Sequence, residues 1–178
     1  EGVPQTIEKL KRAGIEQTVM LTGDNRHIAE LIAQQAGVDA FHGELMPEDK
    51  VRVVEDLERA YGQVAMVGDG VNDAPALARA SVGIAMGAAG TDTALETADV
   101  ALMGDDLSRL PFALRLSQRA LAIVRSNVIF ALVIKAAFLA LAVSGVATLW
   151  MAVIADVGAS LAVILNGLRM LRFGDGPR

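Results

Sequence analysis

The sequence predicts an α/β domain built on a parallel sheet, followed by an all-α two-helix hairpin able to cross a membrane. Three observations carry this. Short apolar runs alternate with amphipathic stretches over residues 1–105, the pattern of βαβ units. Those runs are continuous rather than alternating, as in strands covered on both faces. From residue 128 to 168 the only charged side chains are Lys135 and Asp156.

The α/β part can be read element by element. Residues 5–13 form a helix ending near Gly14, and Thr18-Val19-Met20-Leu21 is a strand running into Thr22-Gly23-Asp24. Residues 26–35 form a helix with Ile28, Leu31 and Ile32 on its buried face, stopped by Gly37. Pro47 suits the first turn of the next helix, where Glu48 and Asp49 meet its positive end. Val51, Val54 and Leu57 make that helix's buried stripe, and Gly62 closes it. Val64-Ala65-Met66-Val67 is a second strand opening into Gly68-Asp69-Gly70-Val71-Asn72-Asp73, with a helix to about Arg79. Runs 82–86 and 100–103 supply two more strands, separated by a short helix around 91–97.

The hairpin follows from length and charge. Forty-one residues, 128–168, make about 60 Å of helix, roughly two crossings of a ~30 Å hydrocarbon core. Ser144-Gly145 is the natural turn, and Trp150 suits the interface beyond it. Residues 1–106 carry 8 Lys/Arg and 19 Asp/Glu, a net of −11; residues 107–178 carry 8 and 2, a net of +6. The arginines 115, 119, 125, 169, 172 and 178 flank the apolar pair, so the positive-inside rule puts both ends in the cytoplasm. The Arg-rich helix before the hairpin reads as a membrane-proximal stalk, not a nucleic-acid patch. The expected organisation is an α/β domain over 1–106, a stalk over 107–126, crossings over 127–145 and 148–168, and a tail over 169–178.

There are no cysteines, which excludes a disulfide framework or a Cys-based zinc site in this stretch. The start, EGVPQTIEKLKRAG, has no apolar core and is no signal peptide. It lacks an initiator Met and begins in a helix-like pattern, as expected of a fragment. His27 and His42 lack a second ligand at an obvious spacing and read as surface or loop residues.

Two acidic loops leave the ends of strands, one at Asp24 and one at Asp69. In an open parallel sheet such loops face one crevice at the strands' carboxyl ends. Gly23, Gly68 and Gly70 let the backbone approach a phosphate and present its N–H groups. Lys50, between the loops at the start of a helix, supplies a fixed cation. Asp69 and Asp73 are hard oxygen ligands, or their supports, suited to Mg²⁺. A phosphoryl-transfer site needs this set of groups. Each piece alone is more often a plain turn; their joint placement makes the reading.

GDGVNDAPAL at 68–77, with TGDN at 22–25 and PEDK at 47–50, resembles the P-type ATPases of the haloacid-dehalogenase-like superfamily, through essentially the whole chain. The resemblance implies a Rossmann-like phosphorylation domain that forms an aspartyl-phosphate from ATP during transport. By that likeness Thr22 and Gly23 hold the phosphoryl group and Asp24 positions phosphate or nucleotide. Lys50 stabilises charge, Asp69 binds Mg²⁺, and Asn72 and Asp73 complete the site. The family's nucleophile lies in a DKTGT motif, which this chain lacks. The actuator and nucleotide-binding domains and the earlier membrane helices are likewise expected elsewhere in the pump, so the fragment alone should not hydrolyse ATP.

Lys135 and Asp156 carry the cargo argument. Counted from an apex near residue 146, Lys135 lies 11 positions back and Asp156 10 positions on, so both sit about 15–16 Å below it. A charge near the bilayer centre costs about 2.5–3.5 kcal/mol, so it has a partner or a task. A structural ion pair across the hairpin is one reading. The other makes Asp156 a ligand of the transported cation and Lys135 its counter-charge when the site is empty. Asn127 with Lys135, and ADVG at 155–158, resemble the zinc/cadmium/lead-exporting branch of heavy-metal ATPases, which implies one of those ions as cargo and a bacterial plasma membrane. A cobalt or copper pump, or a truncated non-catalytic membrane regulator, are the alternatives.

Overall fold

The computed structural model describes residues 2–69, 72–86, 97–102, 106–146 and 148–171. It divides into two compact units, Glu1–Phe112 and Ala113–Arg178.

In the first unit, helix α1 (Val3–Arg12) precedes strand β1 (Val19–Leu21). Helix α2 (Arg26–Ala36) is capped by the Asn25 side chain, which accepts from the Ile28 N–H at 3.0 Å, and it ends at Gly37, where φ is 73°. Strand β2 (Ala40–His42) and helix α3 (Pro47–Tyr61) follow, then β3 (Ala65–Gly68), α4 (Ala74–Arg79), β4 (Val82–Ala85) and β5 (Val100–Ala101). The expected helix around 91–97 falls mainly outside the described residues, as does Met103 of the last strand.

All pairings among the described residues are parallel. β1 pairs with β2, Met20 opposite Phe41, and β3–β4–β5 form a second ladder with Met66 opposite Gly83. Among the described residues the two ladders are separate, so β1 and β3 each keep one edge without a strand. Val54, Met66, Ala76 and Leu77 form the core between α3, β3 and α4, and Leu21 of β1 packs against it with Val51 and Val64. Val54 and Leu77 are each 1% exposed, and burying such a side chain contributes about 1.5–3 kcal/mol. Gly83 is what lets α4 lie so close to β4: a Cβ there would fall 2.7 Å from the Leu77 carbonyl oxygen. Arg79 adds ion pairs from α4 to Glu55 and Glu58 of α3.

Two sequence expectations are corrected. The buried face of α2 is Ala29 and Ala33, whereas Ile28, Leu31 and Ile32 are 42–49% exposed. The small residues win because the chain passes close by at Gly43, where a Cβ would lie 3.1 Å from the Ala29 Cβ. β2 is an added strand. Three residues, one of them His42, are too short a run to signal one.

In the second unit one continuous helix, α5 (Leu110–Val143, begun at the end of the first), carries both the expected stalk and the expected first crossing. Ser144 and Gly145 (φ 76°) turn the chain, and Thr148 caps α6 (Leu149–Leu168) by accepting from the Met151 N–H. Both helices are long and apolar enough to cross a membrane.

Candidate functional site

The site grows from the ends of β1 and β3. After β1, the Thr22 hydroxyl accepts from the Asp24 N–H at 3.1 Å and donates to the Asp24 carboxylate at 3.0 Å, folding residues 22–24 into a tight loop. Residues 42–45 clamp that loop. The Thr22 N–H donates to the His42 carbonyl at 3.0 Å, the Glu44 N–H to the Asp24 carbonyl at 2.7 Å, and the Leu45 N–H to the Thr22 carbonyl at 3.1 Å. Gly43 is required here, since a Cβ would stand 3.1 Å from the Asp24 carbonyl oxygen and 3.2 Å from the Arg26 Cα.

The clamp leads straight into α3. The Asp49 carboxylate caps its start by accepting from the Met46 N–H at 3.2 Å. One turn in, Lys50 Nζ reaches across 23 residues of chain to donate to Asp73 Oδ1 at 2.5 Å. The two side chains are only 14% and 16% exposed, so the pair is held away from bulk water. Asp73 folds back over the end of β3. A Cβ on Gly68 would meet Asp73 Oδ2 at 2.7 Å and its Cβ at 2.8 Å. The Gly68 carbonyl accepts from the Met86 N–H at 2.8 Å, so the strand end beneath the pair is fixed.

The structure thus assembles Thr22, Gly23 and Asp24 as one group, and Lys50, Gly68 and Asp73 as another. The 42–46 loop and α3 join the two. Asp24, Asp69 and Asn72 are exposed on these loops. Gly70 lies outside the described residues. Gly43 and Leu45 were not legible as site residues; the lone glycine between β2 and α3 was their only signal.

Among the described residues no group of three His, Asp or Glu gathers as a metal cage. The donor chemistry still fits Mg²⁺, which commonly takes one or two carboxylates and keeps waters and phosphate oxygens for the rest. Asp69 stands at the strand's carboxyl end, where it would supply the direct ligand. Asp73, with Oδ1 engaged by Lys50, fits the supporting role.

In the second unit, half-buried positions recur on α5 at Ala120, Ile123, Asn127, Ala131, Ile134 and Phe138, and on α6 at Ala155, Ala159, Val163 and Asn166. This three-four spacing is a helix–helix seam. Asn166 Nδ2 donates to Asn127 Oδ1 at 2.7 Å across it. Lys135 and Asp156 do not make the ion pair that one of the two readings called for: each is exposed, one residue beyond the seam positions Ile134 and Ala155. One residue is a rotation of about 100°. In two antiparallel helices that step turns both side chains to the same side of the hairpin, beside each other rather than facing.

Parallel strands ending in glycine-bearing acidic loops, followed by paired apolar helices, define a haloacid-dehalogenase-like domain joined to helices able to cross a membrane. The haloacid dehalogenase-like hydrolase family model matches residues 1–81. A probable cadmium-transporting ATPase of Listeria monocytogenes is 58% identical over 95% of the chain and 24% of its own length. One from Alkalihalophilus pseudofirmus is 56% identical over 97% and 24%. A crystal structure of a zinc-transporting PIB-type ATPase in the E2·Pi state superposes with a TM-score of 0.88 at 45% identity, covering 94% of this chain and 27% of that one. Over nearly its whole length the chain is similar to heavy-metal-transporting P-type ATPases. It spans about a quarter of the length of these relatives.

Proposed function

We propose that this chain is a C-terminal part of the phosphorylation domain and a membrane hairpin of an ATP-driven exporter of Zn²⁺, Cd²⁺ or Pb²⁺. The observation that carries it is the Lys50–Asp73 pair seated on Gly68 at the end of a parallel strand. The transport activities of these relatives support the same reading.

The nucleophilic carboxylate comes from outside this chain. The unpaired edges of β1 and β3 are where its strand fits, because a parallel strand there would join both ladders into one sheet with its own loop between those of Asp24 and Asp69. The carboxylate oxygen attacks the γ-phosphorus of ATP, the bond to the bridging oxygen breaks, and ADP leaves. On binding, the Thr22 hydroxyl turns its proton from Asp24 to one equatorial phosphoryl oxygen, the Gly23 N–H holds another, and Lys50 neutralises the charge gathering on them. Bound Mg²⁺ supplies Lewis-acid stabilisation of the transferring group. Asp69 would hold it, while Asp73 fixes the Lys50 ammonium and Asn72 borders the opening.

For the cargo, Asp156 serves as a carboxylate ligand and Lys135 as the counter-charge when no cation is bound. Their shared side of the hairpin and similar distance from the turn support this. The remaining ligands come from earlier membrane helices, with the phosphorylation domain and C-terminus in the cytoplasm of a bacterial plasma membrane. The test is metal-stimulated ATP turnover in the pump of full family length. Asp156→Ala should abolish stimulation by Zn²⁺ and Cd²⁺; retained stimulation would return Asp156 to a structural role.

A further inference from the structure

A second polar site lies on the hairpin, away from Lys135 and Asp156. Arg119, Ala122, Ile123 and Ser126 of α5, with Asn166 and Arg169 at the end of α6, line a cavity of about 230 Å³. It holds several waters' volume at ~30 Å³ each. Arg119, Ala122 and Ser126 each precede a seam position, whereas Lys135 and Asp156 each follow one. By the same 100° rule the cavity opens on the opposite side of the hairpin.

The cavity is built. Asn127 Oδ1 accepts from Asn166 Nδ2, which turns Asn166 Oδ1 toward Arg169, and Arg169 Nη1 donates to it at 3.2 Å. Asn166 Nδ2 also reaches Ser126 Oγ at 3.4 Å, and that hydroxyl is spent on the Ile123 carbonyl at 2.8 Å. The amides therefore use up their own hydrogen bonds in orienting a guanidinium. Arg169 retains N–H groups for an outside acceptor, having five to offer. Among the described residues no acidic side chain lines the cavity.

Depth identifies the acceptor. Ser126 lies 19 residues before Gly145 and Asn166 lies 21 after it, roughly 29–32 Å along the helices. That is the full hydrocarbon thickness of a bilayer, so the cavity floor is at the acyl boundary. Arg119, 26 residues from the turn, and Arg169, 24 residues from it, reach a further several ångströms into the headgroup layer. Toward the turn the helices continue as apolar surface, where acyl chains lie.

We propose that this cavity holds the phosphate of an anionic phospholipid from the leaflet remote from the turn, clamped between Arg119 and Arg169. The guanidinium fork matches phosphate oxygens, and basic pockets between membrane helices are recurrent headgroup sites. The proposal rests on the hairpin's crossing the membrane.

Native mass spectrometry of the intact protein, purified in lipid-depleted detergent and titrated with phosphatidylglycerol, reads the site directly. One phosphatidylglycerol should be retained, and Arg119→Ala with Arg169→Ala should weaken it roughly ten- to thirtyfold. Arg125→Ala, which removes a basic charge from the same helix outside the cavity lining, should leave it unchanged. Equal retention by the double variant, or equal loss in Arg125→Ala, overturns the proposal. Displacement by millimolar inorganic phosphate, with that phosphate bound instead, overturns the lipid source. Flotation with phosphatidylcholine vesicles separates the two readings. Protein that floats without retaining phosphatidylglycerol overturns the lipid site alone, and protein that fails to float sinks the membrane reading along with it.

Discussion

Lys50 Nζ lies 2.5 Å from Asp73 Oδ1, joining the start of α3 to the loop after β3 with little solvent around either group. Breaking such a pair leaves the other charge poorly compensated, which costs more than the pair contributes. Lys50→Ala and Asp73→Ala should each lower stability by about 1–3 kcal/mol, and the double variant should lose less than the sum. Chemical denaturation of the four proteins measures that coupling; strict additivity would mean the contact carries no energy.

Gly68 is bound to the same pair by shape. Gly68→Ala places a methyl 2.7 Å from Asp73 Oδ2 and 2.8 Å from its Cβ, so Asp73 must move off the strand end. A loss of about 1–3 kcal/mol is expected, together with loss of phosphoryl transfer in the full-length pump. Gly62→Ala is the control. It meets nothing within 4 Å, and its cost comes only from a φ of 86°, about 1 kcal/mol. If the two variants melt alike and both retain transfer, Asp73 does not need that space.

Asp39 sets an acid limit on the first unit. Lys11 donates to its carboxylate at 2.5 Å, and the Thr18 N–H and hydroxyl donate at 2.9 and 2.8 Å, holding its pKa at about 2 against an ordinary 3.8. A depressed carboxylate stabilises the fold above the unfolded value, and the contribution is lost as pH falls from about 4 toward 2. Both side chains are more than a third exposed, so screening limits the effect to about 1 kcal/mol. Urea midpoints at pH 5 and pH 3 should differ less in Asp39→Asn than in the parent; an unchanged difference would assign the acid limb to other groups.

The Asn127–Asn166 bond pins the register of the hairpin. Asn166→Leu should weaken helix pairing by about 0.5–2 kcal/mol, read as loss of a disulfide between cysteines introduced at Ile123 and Met170. Undiminished cross-linking would show that apolar packing alone sets the register.

Much of this was legible in the sequence, because chemistry there follows the ends of strands. The apolar runs before Thr22 and Gly68 located both loops, and the charge count located the hairpin. What failed was direction. In α2 the larger apolar residues point outward, since periodicity marks an apolar face without saying what covers it. β2 is too short to register, and the gap between β1 and β3 is invisible because runs of residues do not encode strand order. Helical rise places Lys135 and Asp156 at similar distances from the turn. Their azimuth depended on which residues form the seam, and a single step past it was enough to abolish the pairing.

The central claim is that these residues form half of a phosphoryl-transfer site whose nucleophile enters from outside. Acid-stable labelling by radiolabelled ATP in the presence of Mg²⁺ and Zn²⁺ tests it most directly. Residues 1–178 alone should take up no label, while the pump of full family length should label and Lys50→Ala should abolish that labelling. A labelled aspartate within residues 1–178, or full labelling in Lys50→Ala, would contradict the account.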